Sequence, residues 1–336
     1  MAARLAALAA LANFSGTAAT QSNVTIFGVL AVGVQQIKGG NETLRLQSID
    51  GLQTSRLGFC STQDLGSGLL AGFHLESAPG PDTGAGLDFR RRSTASLRRA
   101  GVGELRLGHV DSPAFWNISR FNAFGTNGVG AASNLVYGFD GLSSSAKTVV
   151  RSDNSVGHFL PATLGGVSGQ ATLAAGEGST GKHVAGRIGY AAGALDVAAS
   201  LSDTDNTLAG DKFRVSSIGG THDTGPVKLF GPVHVSKQTT REQRNWALGA
   251  TAPLGLFTQR ASAVHARMTN RANNADDIGK QLALGAVDNL SRRTALYSTA
   301  SRVQNSATGT FVIPGALAIS AGQLSRAIEA GINHSF

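Results

Sequence analysis

The last residues of the chain alternate between apolar and polar or small side chains, and this period of two constrains the fold more than any other feature. Successive side chains of a β-strand point to opposite faces, so the pattern predicts a strand between two different environments. The apolar face carries Ile328, Ala330, Ile332, His334 and Phe336. The other face carries Glu329, Gly331, Asn333 and Ser335.

The same alternation recurs along the chain. Val184, Ile188 and Tyr190 alternate with His183 and Arg187. A further segment places apolar residues against polar ones, with Leu195, Val197, Ala199 and Leu201 opposing Asp196 and Ser200. Helical stripes are scarce and no composition break divides residues 21–336. We therefore predict a single all-β domain over these residues.

Composition narrows the class of protein. The mean hydropathy is zero and charged residues make up only 15% of the chain. A polytopic helical membrane protein would be strongly apolar, so that class is excluded. A transmembrane barrel averages lipid-facing and lumen-facing positions to such a value, but a soluble β-sandwich can do the same.

The N-terminus resembles an export signal. Arg4 is followed by an apolar run over residues 5–12 and by small residues over 15–20. The run is far shorter than the roughly 20 residues of a membrane-spanning helix, so residues 1–20 are predicted to be a cleaved signal peptide. The remaining length suits about 16 strands, at roughly 20 residues for each strand and its connection.

Several stretches resemble the general porins of Gram-negative bacteria, in their betaproteobacterial form. The likeness runs through residues 55–69, 73–77, 91–97, 103–108, 124–130, 154–161 and 331–336. It implies a homotrimer of 16-stranded antiparallel transmembrane barrels, each with a constriction loop folded into the pore. On this resemblance, the loop includes Phe124, Gly125, Asn127 and Gly128. Cys60, Ser61, Gln63 and His109 depart from the usual residues of the family.

Basic residues are the candidates for the pore constriction. With Leu57 and Phe59 facing lipid, Arg56 and Cys60 face the lumen. By the same alternation Arg90, Arg92 and Arg106 point inward, and the resemblance adds Arg151. Arg91, Arg98 and Arg99 are expected to lie on a solvated face or to meet lipopolysaccharide phosphate. Residues 119–125, in the constriction loop, contain no acid, so unpaired arginines are expected to favour anions.

Three other motifs fail on closer reading. Residues 176–182 resemble a phosphate-binding loop, but His183 follows where Ser or Thr should bind magnesium. The eight histidines lack metal-binding spacing, so no metal or other cofactor is predicted. Asp203 to Asn206 lacks the rest of a calcium loop and is predicted to be a polar turn.

The sequence thus predicts an exported porin of the Gram-negative outer membrane. It is expected to pass small anionic and neutral solutes by passive diffusion, in contact with outer-membrane lipid and lipopolysaccharide. It is not expected to be an enzyme or to bind nucleic acid. The alternatives are an outer-membrane barrel enzyme, and a plugged structural or adhesive barrel.

Overall fold

A computed structural model describes residues 24–137, 148–176, 180–206, 210–270, 272–314 and 319–336 of the chain, most of them in strands. The predicted signal peptide, residues 1–20, lies outside the described residues. The strands are β1 (Thr25–Gly39), β2 (Glu42–Ser48), β3 (Arg56–Asp64), β4 (Leu69–Ser77), β5 (Arg92–Arg99), β6 (Gly103–Asp111), β7 (Arg151–Phe159), β8 (Val167–Ala174), β9 (Thr180–Ala192), β10 (Leu195–Asn206), β11 (Asp211–Asp223), β12 (Lys228–Gln238), β13 (Arg241–Leu254), β14 (Phe257–Asn270), β15 (Ala275–Asn289), β16 (Thr294–Asn305) and β17 (Ser325–Ser335). Among the described residues between β6 and β7 there are two helices, α1 (Pro113–Arg120) and α2 (Ser133–Val136). No helix of the described residues is long and apolar enough to cross a membrane.

The strands form a closed antiparallel barrel. β17 pairs with β1 from Ser335 opposite Val29 to Ser325 opposite Gly39, which joins the two ends of the sheet. β2 and β3 pair with different stretches of β1, so they are the two halves of one interrupted strand. Because β2 and β3 share one position, the 17 segments occupy 16 strand positions around the barrel, as predicted.

Residues 49–55, here called the β2–β3 break, leave the wall between the two halves of that strand. The break leaves Ala31 of β1 without a strand partner on this side. The buried hydroxyl of Ser55 replaces the missing ladder, because it accepts the Ala31 N–H at 3.0 Å. It lies 3.1 Å from the Ala31 carbonyl and 2.9 Å from that of Ile49, to which it can donate. The backbone N–H and C=O groups of a closed barrel must find hydrogen-bond partners within the protein. The Ser55 hydroxyl supplies these partners where the strand is interrupted.

The two faces of the strands meet different surroundings. Outward apolar side chains are widely exposed, with Val34 at 72% and Leu284 at 68%, while inward Gln281 is buried. The predicted faces of the last strand and of the segments near residues 184–190 and 195–201 are confirmed. The predicted turn from Asp203 to Asn206 is wrong, because these residues end β10 and pair with β11. Their outward carboxylates bind cations of β11, which stabilises an extended strand end.

The connections differ at the two ends of the barrel. The end that carries the last residue, Phe336, has tight connections such as 193–194 and 255–256. The opposite end carries the longer connections 78–91, 112–150 and 306–324. The connection 112–150 is here called the inner loop, and its described part folds into the barrel, as predicted.

Candidate functional site

The inner loop begins with α1, which is fastened to the wall formed by β9 to β11. Ser112 caps the helix by accepting the Phe115 N–H at 3.1 Å, and Pro113 occupies the first turn, where its missing N–H costs nothing. The buried Asn117 amide donates to the Ser217 hydroxyl at 2.9 Å and to the Ala198 carbonyl at 3.3 Å. These bonds hold the first part of the loop against the barrel.

The loop then follows the inner wall toward β17. Phe124 is buried, and the Arg260 guanidinium of β14 lies 4.2 Å from its ring centroid. The Val129 N–H donates to the Glu329 carboxylate of β17 at 3.1 Å. The Gln281 amide of β15 donates to the Val129 carbonyl at 3.1 Å. The described part of the loop therefore covers the wall from β9 to β17.

Near Val129 the loop also meets the β2–β3 break. The Asn127 amide donates to the Thr54 hydroxyl. Gly128 has a φ of 71°, and a Cβ there would lie 2.4 Å from the Gly51 carbonyl oxygen. Only glycine fits this close approach without strain. Gly125, with a φ of 58°, turns the chain between Phe124 and this contact.

The wall from β3 to β7 carries a cluster of arginines. Arg56 and Arg91 both approach the Glu76 carboxylate, with Arg56 at 3.7 Å. Arg151 is ion-paired with Asp111 at 3.1 Å, and its Nε donates to the Arg91 carbonyl at 2.7 Å. The structure thus brings the predicted residues Arg56 and Arg151 together.

Two further predicted arginines lie on the inward face of neighbouring strands. Arg92 faces Glu76 across β4 and β5, and its Nε donates to the Thr94 hydroxyl at 3.1 Å. Arg106 is ion-paired with Glu104 at 2.9 Å, and its guanidinium lies 3.9 Å from the centroid of the Phe159 ring. We call Arg56, Arg91, Arg92, Arg106 and Arg151 the arginine wall.

Arg90 does not join this wall. It precedes the first residue of β5, so the strand alternation that predicted its direction does not apply to it. Its side chain is 64% exposed and is ion-paired with Asp88 at 2.9 Å. Arg91, by contrast, was predicted to be a surface residue, and its 14% exposed side chain shows that this was wrong. Arg98 shares the inward register of Thr94 and lines a cavity of about 240 Å³ with Arg92 and Arg106, where it is exposed, in agreement with the predicted solvated face.

The sequence interpretation missed the carboxylates. It expected unpaired arginines, whereas Glu76, Glu104 and Asp111 each bind one or more of them. The alternation along β4 could have predicted one of these carboxylates. Glu76 lies on the same face as His74, opposite the apolar Phe73 and Leu75, and therefore points inward. Five arginines against three carboxylates leave the wall with a net charge of +2.

The described part of the inner loop adds no negative charge to the facing side of the lumen. Residues 112–137 of the inner loop contain no Asp or Glu, and Arg120 is their one charged residue. Cys60 is paired in register with the inward His74 and is a free thiol. Within the described ranges, no group of His, Cys, Asp or Glu is arranged to hold a metal ion. The geometry is that of a basic passage beside a loop without acids.

Comparisons with known proteins agree on one family. A family model described as Gram-negative porin matches residues 7–308. The chain is 30% identical to outer membrane porin protein 32 of Delftia acidovorans, over 99% of both chains. It is 27% identical to an outer membrane porin protein of Bordetella pertussis, again over 99% of both.

Solved structures give the same result. An anion-selective porin from Comamonas acidovorans matches with a TM-score of 0.84 and 27% identity, over 94% of this chain and 100% of that one. The trimer form of OmpT, an outer membrane protein of Vibrio cholerae, matches with a TM-score of 0.71, over 94% and 99% of the two chains. Its identity is 12%, so this second likeness concerns the fold alone.

Proposed function

The chain belongs to the Gram-negative porin family and forms an outer-membrane channel for passive diffusion, and we propose that this channel favours anions because of its arginine wall. The observation that carries the proposal is the excess of two positive charges on the arginine wall. In a narrow aperture beside a low-dielectric wall, fixed charges act on a passing ion more strongly than in bulk water. Rings of arginine therefore favour anions.

Two features of the molecule support this assignment. The carboxylates of the wall bind arginines directly, so they compensate part of the positive charge without forming a separate acidic surface. The described part of the inner loop contributes no carboxylate on its side of the passage. The similarity to an anion-selective porin agrees with the same assignment.

The site residues follow from this proposal. Arg56, Arg92, Arg106 and Arg151 act as the fixed cations of the constriction, together with Arg91. Phe124, Gly125, Asn127 and Gly128 hold the loop that narrows it. No step of this function requires a covalent reaction, so the protein acts as a channel and not as an enzyme.

The surroundings of the channel are part of the same proposal. Residues 1–20 are removed on export, and the remaining chain assembles as a homotrimer. Small anionic and neutral solutes pass through it, and lipid with lipopolysaccharide surrounds it. N-terminal sequencing of protein purified from the outer membrane tests the cleavage. Cross-linking at low detergent concentration tests the oligomeric state.

Reconstitution in a planar bilayer tests the channel and its selectivity together. We expect stepwise current and a reversal potential of anion sign in a potassium chloride gradient. The double variant Arg56→Gln/Arg151→Gln should shift that potential toward zero. A matched control is Arg214→Gln, which removes an arginine bound to Asp203 on the outer surface. Wild-type current without anion preference would refute the selectivity, and absence of stepwise current would indicate a plugged barrel.

A further inference from the structure

Three cations lie side by side on the outer surface of the barrel. Lys38 of β1 is directly opposite Arg326 of β17, and Arg326 is directly opposite Arg302 of β16. All three residues are exposed on the membrane-facing side of their strands. Directly opposed like charges destabilise a sheet, so a row of three requires an explanation.

Within the part of the chain that the structure describes, no carboxylate is bound to this row. Among the described residues, no carboxylate is ion-paired with Lys38, Arg302 or Arg326, and none of the three has a hydrogen bond to another side chain. Several other outward cations at this end of the barrel are bound to carboxylates. The pairs are Lys212–Asp205 at 3.1 Å, Arg214–Asp203 at 3.0 Å, Lys237–Glu242 at 2.9 Å and Arg267–Asp276 at 2.7 Å. The three cations of the row differ from these paired cations because no carboxylate binds them.

An apolar groove begins directly below the row. Moving two residues along each strand toward the barrel centre leads from Arg302 to Ala300, and from Arg326 to Ile328. The groove has a volume of about 860 Å³. Small side chains form its floor and larger apolar ones its sides; among them are Ala286, Ser298, Ala300, Ala330, Val34 and Leu284. Arg45, whose Nε donates to Gln36 at 2.9 Å, adds a fourth cation at its edge.

We propose that this row and groove bind one phosphorylated lipid of the outer leaflet, with its phosphate on Lys38, Arg302 and Arg326 and an acyl chain in the groove. The inference rests on the proposed placement of the barrel in the outer membrane. A phosphate supplies the missing counter-charge and several strong acceptor oxygens to three neighbouring donors. An acyl chain is the partner that fits an exposed apolar channel of small residues at membrane depth.

The position of the row along the barrel axis agrees with a lipid of the outer leaflet as its partner. Arg326 is the second residue of β17, so the row lies at the end of the barrel opposite Phe336. That end carries the longer connections, and in outer-membrane barrels the longer loops are extracellular. The row therefore lies at the headgroup level of the outer leaflet, with the groove extending into the hydrocarbon region.

Native mass spectrometry of the full chain, purified and exchanged into detergent with lipid A, tests the proposal. Lipid A is a phosphorylated, multiply acylated glycolipid, and the same glycolipid without phosphates serves as the comparison probe. We expect the wild type to retain lipid A, and the variant Lys38→Gln/Arg302→Gln/Arg326→Gln to retain at least tenfold less. The matched control Lys212→Gln/Arg214→Gln/Lys237→Gln changes three paired cations of the same rim and should retain lipid A like the wild type.

Further arms separate the competing explanations. Ala300→Phe fills the groove and leaves the cations in place, so it should also reduce retention. Equal retention of lipid A and its dephosphorylated form would overturn the proposal. The proposal would also be overturned if the triple variant retained lipid A like the wild type but lost its oligomer. The row would then bind a second copy of the chain and not a lipid. Bilayer conductance is measured on the same samples, so a failure of the channel function is distinguished from a failure of lipid binding.

Discussion

Replacing Glu76 by glutamine should increase the anion preference of the channel, although the change removes a residue that binds arginines. Glu76 neutralises part of the charge of Arg56 and Arg91. Its loss raises the net charge of the arginine wall from +2 to +3. An isosteric amide keeps the shape of the side chain, so the wall retains its form while its field increases.

The size of the effect follows from Coulomb's law. A unit charge about 6 Å from a passing ion contributes roughly 0.7 kcal/mol in water and about four times more at an effective dielectric of 20. At 0.1 M salt, screening over a Debye length of about 10 Å reduces the aqueous value to roughly 0.4 kcal/mol. Loss of the negative charge stabilises an anion in the passage by this amount and destabilises a cation by the same amount. The anion-to-cation permeability ratio should therefore rise about three- to tenfold.

The assay is the reversal potential of the variant in a planar bilayer with a potassium chloride gradient. Glu242→Gln is the matched control, because Glu242 binds Lys237 and Arg244 on the outer surface. It should leave the reversal potential unchanged. Single-channel conductance of the Glu76 variant should stay near that of the wild type, which shows that the barrel is intact. A reversal potential that is unchanged or moves toward cation sign would refute the electrostatic role of the arginine wall.

Three further predictions concern the lumen and its support. Cys60, the single cysteine, faces the lumen. An anionic thiosulfonate reagent should label it faster than a cationic one, when the rate of each reagent is divided by its rate with a free thiol in solution. Equal rates would contradict a positive field there. Phe124→Ala removes a buried ring from beneath Arg260 and should destabilise the docked loop by about 3–5 kcal/mol, seen as a noisier or larger single-channel current. Ser55→Ala leaves the Ala31 N–H unpaired and should lower the free energy of unfolding by about 1–3 kcal/mol in a urea titration, whereas Ser61→Ala, as the control, should leave it nearly unchanged.

The alternation of side chains predicts the barrel well because it reports a local property, namely which face of a strand a residue occupies. It places Arg56, Arg92 and Arg106 on the inward face, and the register of the strands agrees. The rule fails at Arg90, since that residue lies outside the strand. A strand boundary depends on where pairing with the neighbouring strand stops, and that information lies elsewhere in the chain.

Contacts between distant segments explain the other differences. Arg91 belongs to the arginine wall because Glu76 of a neighbouring strand reaches it. The residues of the β2–β3 break do not reveal the contacts that hold it, because these require the Ser55 hydroxyl to reach β1 and the inner loop to reach Thr54. Such pairings can be recognised only once the strand register is known.

The bond from Val129 to Glu329 has a consequence for biogenesis. Glu329 belongs to the final strand, which is also the strand that closes the barrel against β1. A nascent chain that still lacks this strand has no sealed wall, and Gln281 of β15 but not yet Glu329 binds the middle of its inner loop. The bond that completes the docking of the inner loop therefore forms in the same step that closes the barrel, so the passage is not finished before its wall is.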